Sequence, residues 1–249
     1  MQLNVKYIGD PSSNRLIIFL HEGLGSVKQW KNFPNSLCDK TNSYGLVYDR
    51  KGYGESLGDL THRQANYLHL AAEELFEIIS TSKHNDKPIY LYGHSDGGSI
   101  ALIFAAKYGH RIKGIITEAA HVFVEDITIA GVKEARDLFD LGKFEGLKKY
   151  HGNQYHQVFF AWNDIWLSEE FKNWEIISLL EKIDVPNLII QGKNDQYGTE
   201  EQVNLIIEKT KGVSTKLILE NCGHAPHKES QKEVISEIKK WMDDERSSS

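Results

Sequence analysis

The sequence predicts an α/β protein, a mostly parallel sheet with helices on both faces. Three observations carry this. Continuous apolar runs of strand length recur along the chain, as expected for strands buried on both sides. Amphipathic helical patterns lie between them. Two of the runs are opened by Pro and closed by Gly, which sets sharp limits on each. Strands alternating with helices build parallel sheets. A chain of 249 residues fits one such domain, with ample core and no need of a metal or disulfide staple.

The elements follow in order. Leu16-Ile17-Ile18-Phe19-Leu20 is the first strand, and Gly45-Leu46-Val47-Tyr48 the second. Leu68, Ala71, Ala72, Leu75, Phe76, Ile78 and Ile79 keep helical spacing. A third strand runs from Pro88 to Gly93, and Ser99–Ala106 reads as the helix behind it. Ile112–Thr117, Pro186–Gly192 and Thr215–Leu219 complete the strands. Val203, Ile206 and Ile207 mark another helix, and Val234, Ile235, Ile238 and Trp241 the last. Between about Val122 and Leu180 the alternation stops. That stretch holds helical segments rich in aromatics, Tyr155, Phe159, Trp162 and Trp166 among them. It reads either as extra core helices or as a helical lid set between two strands. The lid reading divides the chain into a core of residues 1–121 and 181–246, a lid of 122–180 and a disordered tail of 247–249.

Composition narrows the classes. With 40% hydrophobic and 26% charged residues, the chain is neither disordered nor collagen-like. A net charge of −6 argues against a nucleic-acid partner. The two cysteines, Cys38 and Cys222, make no disulfide framework and suit a reducing cytoplasm. No Cys/His spacing suggests a metal site. MQLNVKYIGD lacks the basic and apolar regions of a signal peptide, and no apolar run approaches the ~20 residues of a membrane span. The expectation is a cytoplasmic protein without metal or organic cofactor.

The chemistry begins at Gly93-His94-Ser95-Asp96-Gly97-Gly98, a G-x-S-x-G placed between a buried strand and a helix. A sharp turn there lifts the Ser95 hydroxyl above the sheet, at a helix N-terminus that favours negative charge. A serine hydroxyl needs a base to become a nucleophile, and the base needs a carboxylate to orient it. Asp195 follows the strand ending at Gln191, and His224 follows the strand ending at Leu219, so the chain order is Ser, acid, His. His227 competes with His224 but reads as a cap or surface group at the start of the last helix. Glu118, Glu125 and Asp126 compete with Asp195, and Glu118 and Asp126 read as a salt bridge or solvated loop. Acyl transfer also needs N–H donors for an oxyanion. The amide of Asp96 supplies one, and the loop His21-Glu22-Gly23-Leu24-Gly25-Ser26 another, at Gly23 or Leu24.

His21–Ser26, Asp49–Ser56, Gly93–Gly98, Asp195 and His224 resemble, in order and spacing, the α/β-hydrolase superfamily, and the likeness covers nearly the whole chain. Within it the chain looks most like the lidded small esterases and carbon–carbon hydrolases, the branch of the pimeloyl-carrier-protein methyl ester esterases. The resemblance implies Ser95 as nucleophile, His224 as base, Asp195 as orienting acid and Gly23 as the oxyanion amide. Asp49, Arg50, Gly52 and Gly54 resemble a structural turn of the family, and His94 reads as structural. Glu22 departs from the family's usual Gly; it either pairs outward or puts a charge by the acyl site. Asp96 departs from the Trp typical of the proline-iminopeptidase branch, and a Ser nucleophile excludes the dehalogenase and epoxide-hydrolase branches. The expected reaction is hydrolysis of a carboxylic ester of a small or medium apolar acyl group. Thioester, lactone and carbon–carbon bond cleavage are the alternatives, and a ligand-binding protein of the same fold stands behind them. Glu22, Leu24, Tyr155, Trp162 and Trp166 are the candidate pocket residues.

Overall fold

The computed structural model describes residues 3–247. Its sheet has seven strands in the order β1-β3-β2-β4-β5-β6-β7. They are β1 (Val5–Ile8), β2 (Leu16–Leu20), β3 (Tyr44–Tyr48), β4 (Ile89–His94), β5 (Gly114–Glu118), β6 (Asn187–Gly192) and β7 (Ser214–Leu219). All neighbours pair in parallel except β1, which runs antiparallel to β3. The apolar run of β2 is explained by its two faces. Leu16, Ile18 and Leu20 enter one core and Ile17 and Phe19 the other, because alternate side chains point to opposite sides of a strand. Each such buried side chain contributes roughly 1.5–3 kcal/mol.

The edge strand β1 is absent from the sequence-based expectation. Val5, Lys6 and Tyr7 are exposed, so no buried run betrays it. Its register with β3 and the stacking of Tyr7 on Tyr44, 5.4 Å between ring centres, hold it in place.

The first two helices are α1 (Phe33–Thr41) and α2 (Tyr67–Thr81). Then come α3 (Asp96–Tyr108), α4 (Asp126–Asp140), α5 (Lys148–His151) and α6 (Tyr155–Trp166). The last are α7 (Ile177–Leu180), α8 (Glu200–Lys209), α9 (Pro226–Glu229) and α10 (Gln231–Ser247). Phe33 and Leu37 of α1 and Val234, Ile238 and Trp241 of α10 cover one face of the sheet. Leu68 and Leu75 of α2, Ile100 and Phe104 of α3 and Val203 and Ile206 of α8 cover the other. Helix α10 continues through Ser247, which the expected disordered tail included; residues 248 and 249 lie outside the described residues.

The chain leaves β2 for β3 on one side and returns to β4 on the other. A crevice therefore opens at the carboxyl ends of β2 and β4, the place where open α/β sheets bind ligands. Helices α4 to α7 stand between β5 and β6. The ends of this segment meet: Phe123 bridges Glu175, and the Ile176 N–H donates to the Val122 carbonyl at 2.8 Å. Inside it, Phe139 stacks on Phe159 at 4.0 Å and Phe171 on Trp174 at 5.0 Å. No helix among the described residues is long and apolar enough to cross a membrane.

Candidate active site

Ser95 is the single residue between β4 and α3. Its φ of 54° and ψ of −119° are strained for a residue with a side chain, and such strain marks functional turns. The flanking glycines are needed for space. A Cβ on Gly93 would overlap the Gly97 carbonyl, and one on Gly97 would overlap the Leu20 carbonyl of β2. The Ser95 N–H donates to the Glu118 carbonyl at 2.8 Å, which ties the turn to β5.

His224 reaches this serine from the loop after β7. Its Nε2 lies 2.9 Å from Ser95 Oγ, and its Nδ1 lies 2.8 Å from each carboxylate oxygen of Asp195. Asp195 accepts further bonds from Gln191 Nε2 and the Tyr197 N–H, both at 2.8 Å. An acceptor-only carboxylate takes its hydrogen from Nδ1, leaving the Nε2 lone pair toward the serine hydroxyl. Burial alone would push the His224 pKa down. The Asp195 charge and hydrogen bond, with Glu22 and Glu118 adding, outweigh it, and the pKa stands above the usual imidazole value. Burial likewise pushes Asp195 up, and His224 with the Tyr197 amide brings it below the usual carboxylate value. The arrangement can take a proton from Ser95 and hold it on a stabilised imidazolium.

The loop after β2 is pinned by its carbonyls. The Glu22 carbonyl accepts from Arg50 Nη2 at 2.7 Å and His21 Nδ1 at 2.8 Å, while His21 Nε2 accepts the Arg50 N–H at 3.1 Å. His151 Nε2 donates to the Leu24 carbonyl at 2.9 Å. Trp162 lies on Gly23 so closely that any Cβ there would strike its indole. Neither the Gly23 nor the Asp96 amide has an acceptor among the described residues. The Asp96 side chain is turned away from the serine. It accepts from Tyr67 Oη at 3.0 Å, itself bonded to Trp166 Nε1 at 3.0 Å, and faces Arg50 at 3.6 Å. Asp49 accepts from the Val27 and Glu55 amides, so the Asp49–Arg50 turn is scaffold.

Ser95 and His224 open into a cavity of about 110 Å³. Of the candidate pocket residues, Glu22, Leu24, Trp162 and Trp166 line it, beside Gly23 of the oxyanion loop. Tyr155 does not. It shares the face of α6 with Trp162 but stands seven residues earlier, about 10 Å along the helix, and lies in an outer hollow beside Phe139 and Phe160. The sequence reading missed His121, Thr128, Val132, Phe144 and Tyr197. Thr128 and Val132 are one helical turn apart on α4, and Tyr197 is two residues past Asp195, so spacing alone could have raised them. Glu22 is 3.6 Å from Lys228, which partly pairs its charge at the cavity rim.

His227 corrects an expectation. It is buried, not at the surface, and its Nδ1 lies 2.7 Å from Glu118 Oε1, which is fully buried. Helix-start position suggested exposure, but Trp30 and Phe33 close over the ring, 4.8 and 5.3 Å between centres. Glu125 is likewise a structural group, in a capping box with Thr128 at the head of α4. His94, Glu118 and His227 place ligand-type atoms within 4.8 Å of one another, a grouping the sequence did not suggest. These atoms already engage one another and the His224 carbonyl, which His94 Nε2 meets at 2.7 Å.

A serine between β4 and α3, above a sheet of this order, defines an α/β-hydrolase. Residues 12–141 match the model of the serine aminopeptidase S33 family, Hydrolase_4, and the chain belongs to that family. It is 27% identical to a proline iminopeptidase of Saccharolobus solfataricus, over 93% of this chain and 86% of that protein. It is 24% identical to Lipase 1 of Psychrobacter immobilis, over 89% of this chain and 75% of the lipase. Among solved structures, a bacterial membrane phospholipase A superposes with a TM-score of 0.79 at 19% identity, covering 98% of this chain and 84% of that one. The chain is a serine hydrolase of the α/β family. The Asp96 side chain is buried with Tyr67 and Arg50 and does not line the cavity.

Proposed function

We propose that the protein hydrolyses carboxylic esters of small, largely apolar acyl groups through an acyl-enzyme. Ser95 Oγ attacks the ester carbonyl as His224 Nε2 takes its proton. Asp195 holds the imidazole tautomer and stabilises the imidazolium. The Gly23 and Asp96 amides donate to the tetrahedral oxyanion; both N–H groups are free of other acceptors, which supports this role. His224 then protonates the leaving alcohol, and water activated by the same ring cleaves the acyl-enzyme. The observation that carries the reading is the continuous Asp195–His224–Ser95 hydrogen-bond chain, 2.8 and 2.9 Å.

A cavity of about 110 Å³ is small beside the roughly 300 Å³ at which drug-sized pockets begin, and suits a short acyl chain. Helices α4 to α7 act as a lid over it, within residues 122–180, and Trp162 and Trp166 supply its apolar wall. The iminopeptidase relative supports a second reading, cleavage of an amide beside a free amine. A panel of nitrophenyl esters of rising chain length, thioesters, lactones and aminoacyl anilides tests both. Highest kcat/KM on short esters is the expected result. Preference for the anilides gives the second reading, and no turnover of any member, with no labelling of Ser95 by a fluorophosphonate, overturns both.

A further inference from the structure

Behind the site lies a set of buried titratable groups that the proposed steps leave unused. Glu118 ends β5 opposite His94 of β4, and both side chains are buried. Every partner of the Glu118 carboxylate is a donor. Oε1 accepts from the His227 N–H at 3.0 Å and from His227 Nδ1 at 2.7 Å, and Oε2 accepts from Tyr92 Oη. His94 Nε2 stands 4.0 Å from Glu118 and donates to the His224 carbonyl. From outside, Glu229 accepts from the Gly223 and Ala225 amides at 2.8 and 3.1 Å. The short segment carrying His224 is therefore gripped at 223, 224, 225 and 227. The inner grip at 227 comes from a carboxylate on β5, two strands from β7. Neither Glu118 nor His94 nor His227 lines the Ser95 cavity.

We infer that Glu118 is a positioning residue for His224: through His227 it fixes the turn that presents the imidazole to Ser95. The inference rests on the reading of His224 as the general base. A buried carboxylate is costly unless its donors are in place, and here both donors to Oε1 come from the very segment that must be held, with Tyr92 of β4 serving Oε2. The field at His224 is shared among several elements. Asp195 and Tyr197 face it from the loop after β6, Glu22 from the loop after β2, and His121 from the end of β5. His94 faces it from β4, while Lys228 of α9 pairs with Glu22 at the rim. Among these, Asp195 and Glu22 push the His224 pKa up alongside Glu118, so loss of Glu118 removes part of the upward push.

The test compares Glu118→Gln with the parent. The amide keeps the shape and can still accept from His227, but carries no charge. The acid limb of kcat/KM against pH moves to lower pH by about half a unit, a shift of ordinary size for one neighbouring charge. NMR titration of the His224 ring, without substrate, moves the same way. His227→Leu removes the link, and kcat falls about tenfold with KM within about twofold, as for a group acting through orientation. His227→Asn restores a donor and recovers most of the loss. An unmoved acid limb and an unmoved NMR titration in Glu118→Gln overturn the inference, whatever becomes of stability; if His227→Leu does not fold, these two readouts decide alone. Esterase activity that survives Ser95→Ala would instead strike the reading of Ser95 as nucleophile and His224 as its base, while the ring titration would still report on Glu118.

Discussion

The loops at the carboxyl ends of the strands and the helices between β5 and β6 are held by different forces. The loops are fixed by directed bonds, many to histidines and buried carboxylates: His21 and Arg50 on Glu22, Asp195 on Tyr197, Glu118 on His227. The helices add extensive ring packing, such as Phe139 on Phe159 and Phe171 on Trp174, to directed bonds such as Asn163 Nδ2 to the Val132 carbonyl at 2.8 Å. Proton transfer needs atoms placed within tenths of an ångström, and directed bonds supply that. An apolar wall needs volume and shape, which packed aromatics supply and small repacking tolerates. Damage to the loops should therefore appear in kcat, and damage to the helices in stability and substrate choice.

The sharpest break is Ser95→Ala. Ester turnover should fall by about 10⁴-fold or more, with circular dichroism and melting temperature close to the parent's. Asp195→Asn should follow, with kcat down by roughly 10³–10⁴ because the imidazole takes the wrong tautomer; steady-state kinetics on one nitrophenyl ester measures both. On the other side of the comparison, Phe159→Ala empties a fully buried site. It should cost about 3–5 kcal/mol in urea unfolding while kcat falls less than tenfold. Trp162→Ala enlarges the cavity wall and should move the preferred acyl chain to longer members, read as a change in kcat/KM order along the ester series. The mildest test is pH. His224 must be neutral to act as base, and its pKa lies above 6.5, so kcat/KM should fall as pH drops through that raised value, with a midpoint above that of free imidazole. A helix variant that destroyed kcat while stability held would erase the division between the two regions.

Much of this was legible in the chain. β2 is a continuous apolar run, and β4 and β6 carry shorter ones at their centres, because both faces are covered. β1 carries none, because its partner covers only one edge and its side chains face water. The meeting of Ser95, Asp195 and His224 side chains was readable because each follows a strand end, and strand ends converge. His227 was not, because the residues that cover and bind it, Trp30, Phe33 and Glu118, all lie more than a hundred residues away in sequence. Tyr155 was misplaced for a related reason. Aromatic content marks a helix as packed, but the distance along its axis decides which cavity a ring meets.

The Phe123–Glu175 bridge and the Ile176–Val122 bond leave the two ends of the helical segment side by side at the rim of the sheet. A segment whose entry and exit coincide can be exchanged for another of different length without stretching the strands beneath it. One helical segment can thus be traded for another while the strand-end loops beneath stay where they are. For the engineer, the same neck marks where a chimera should be cut.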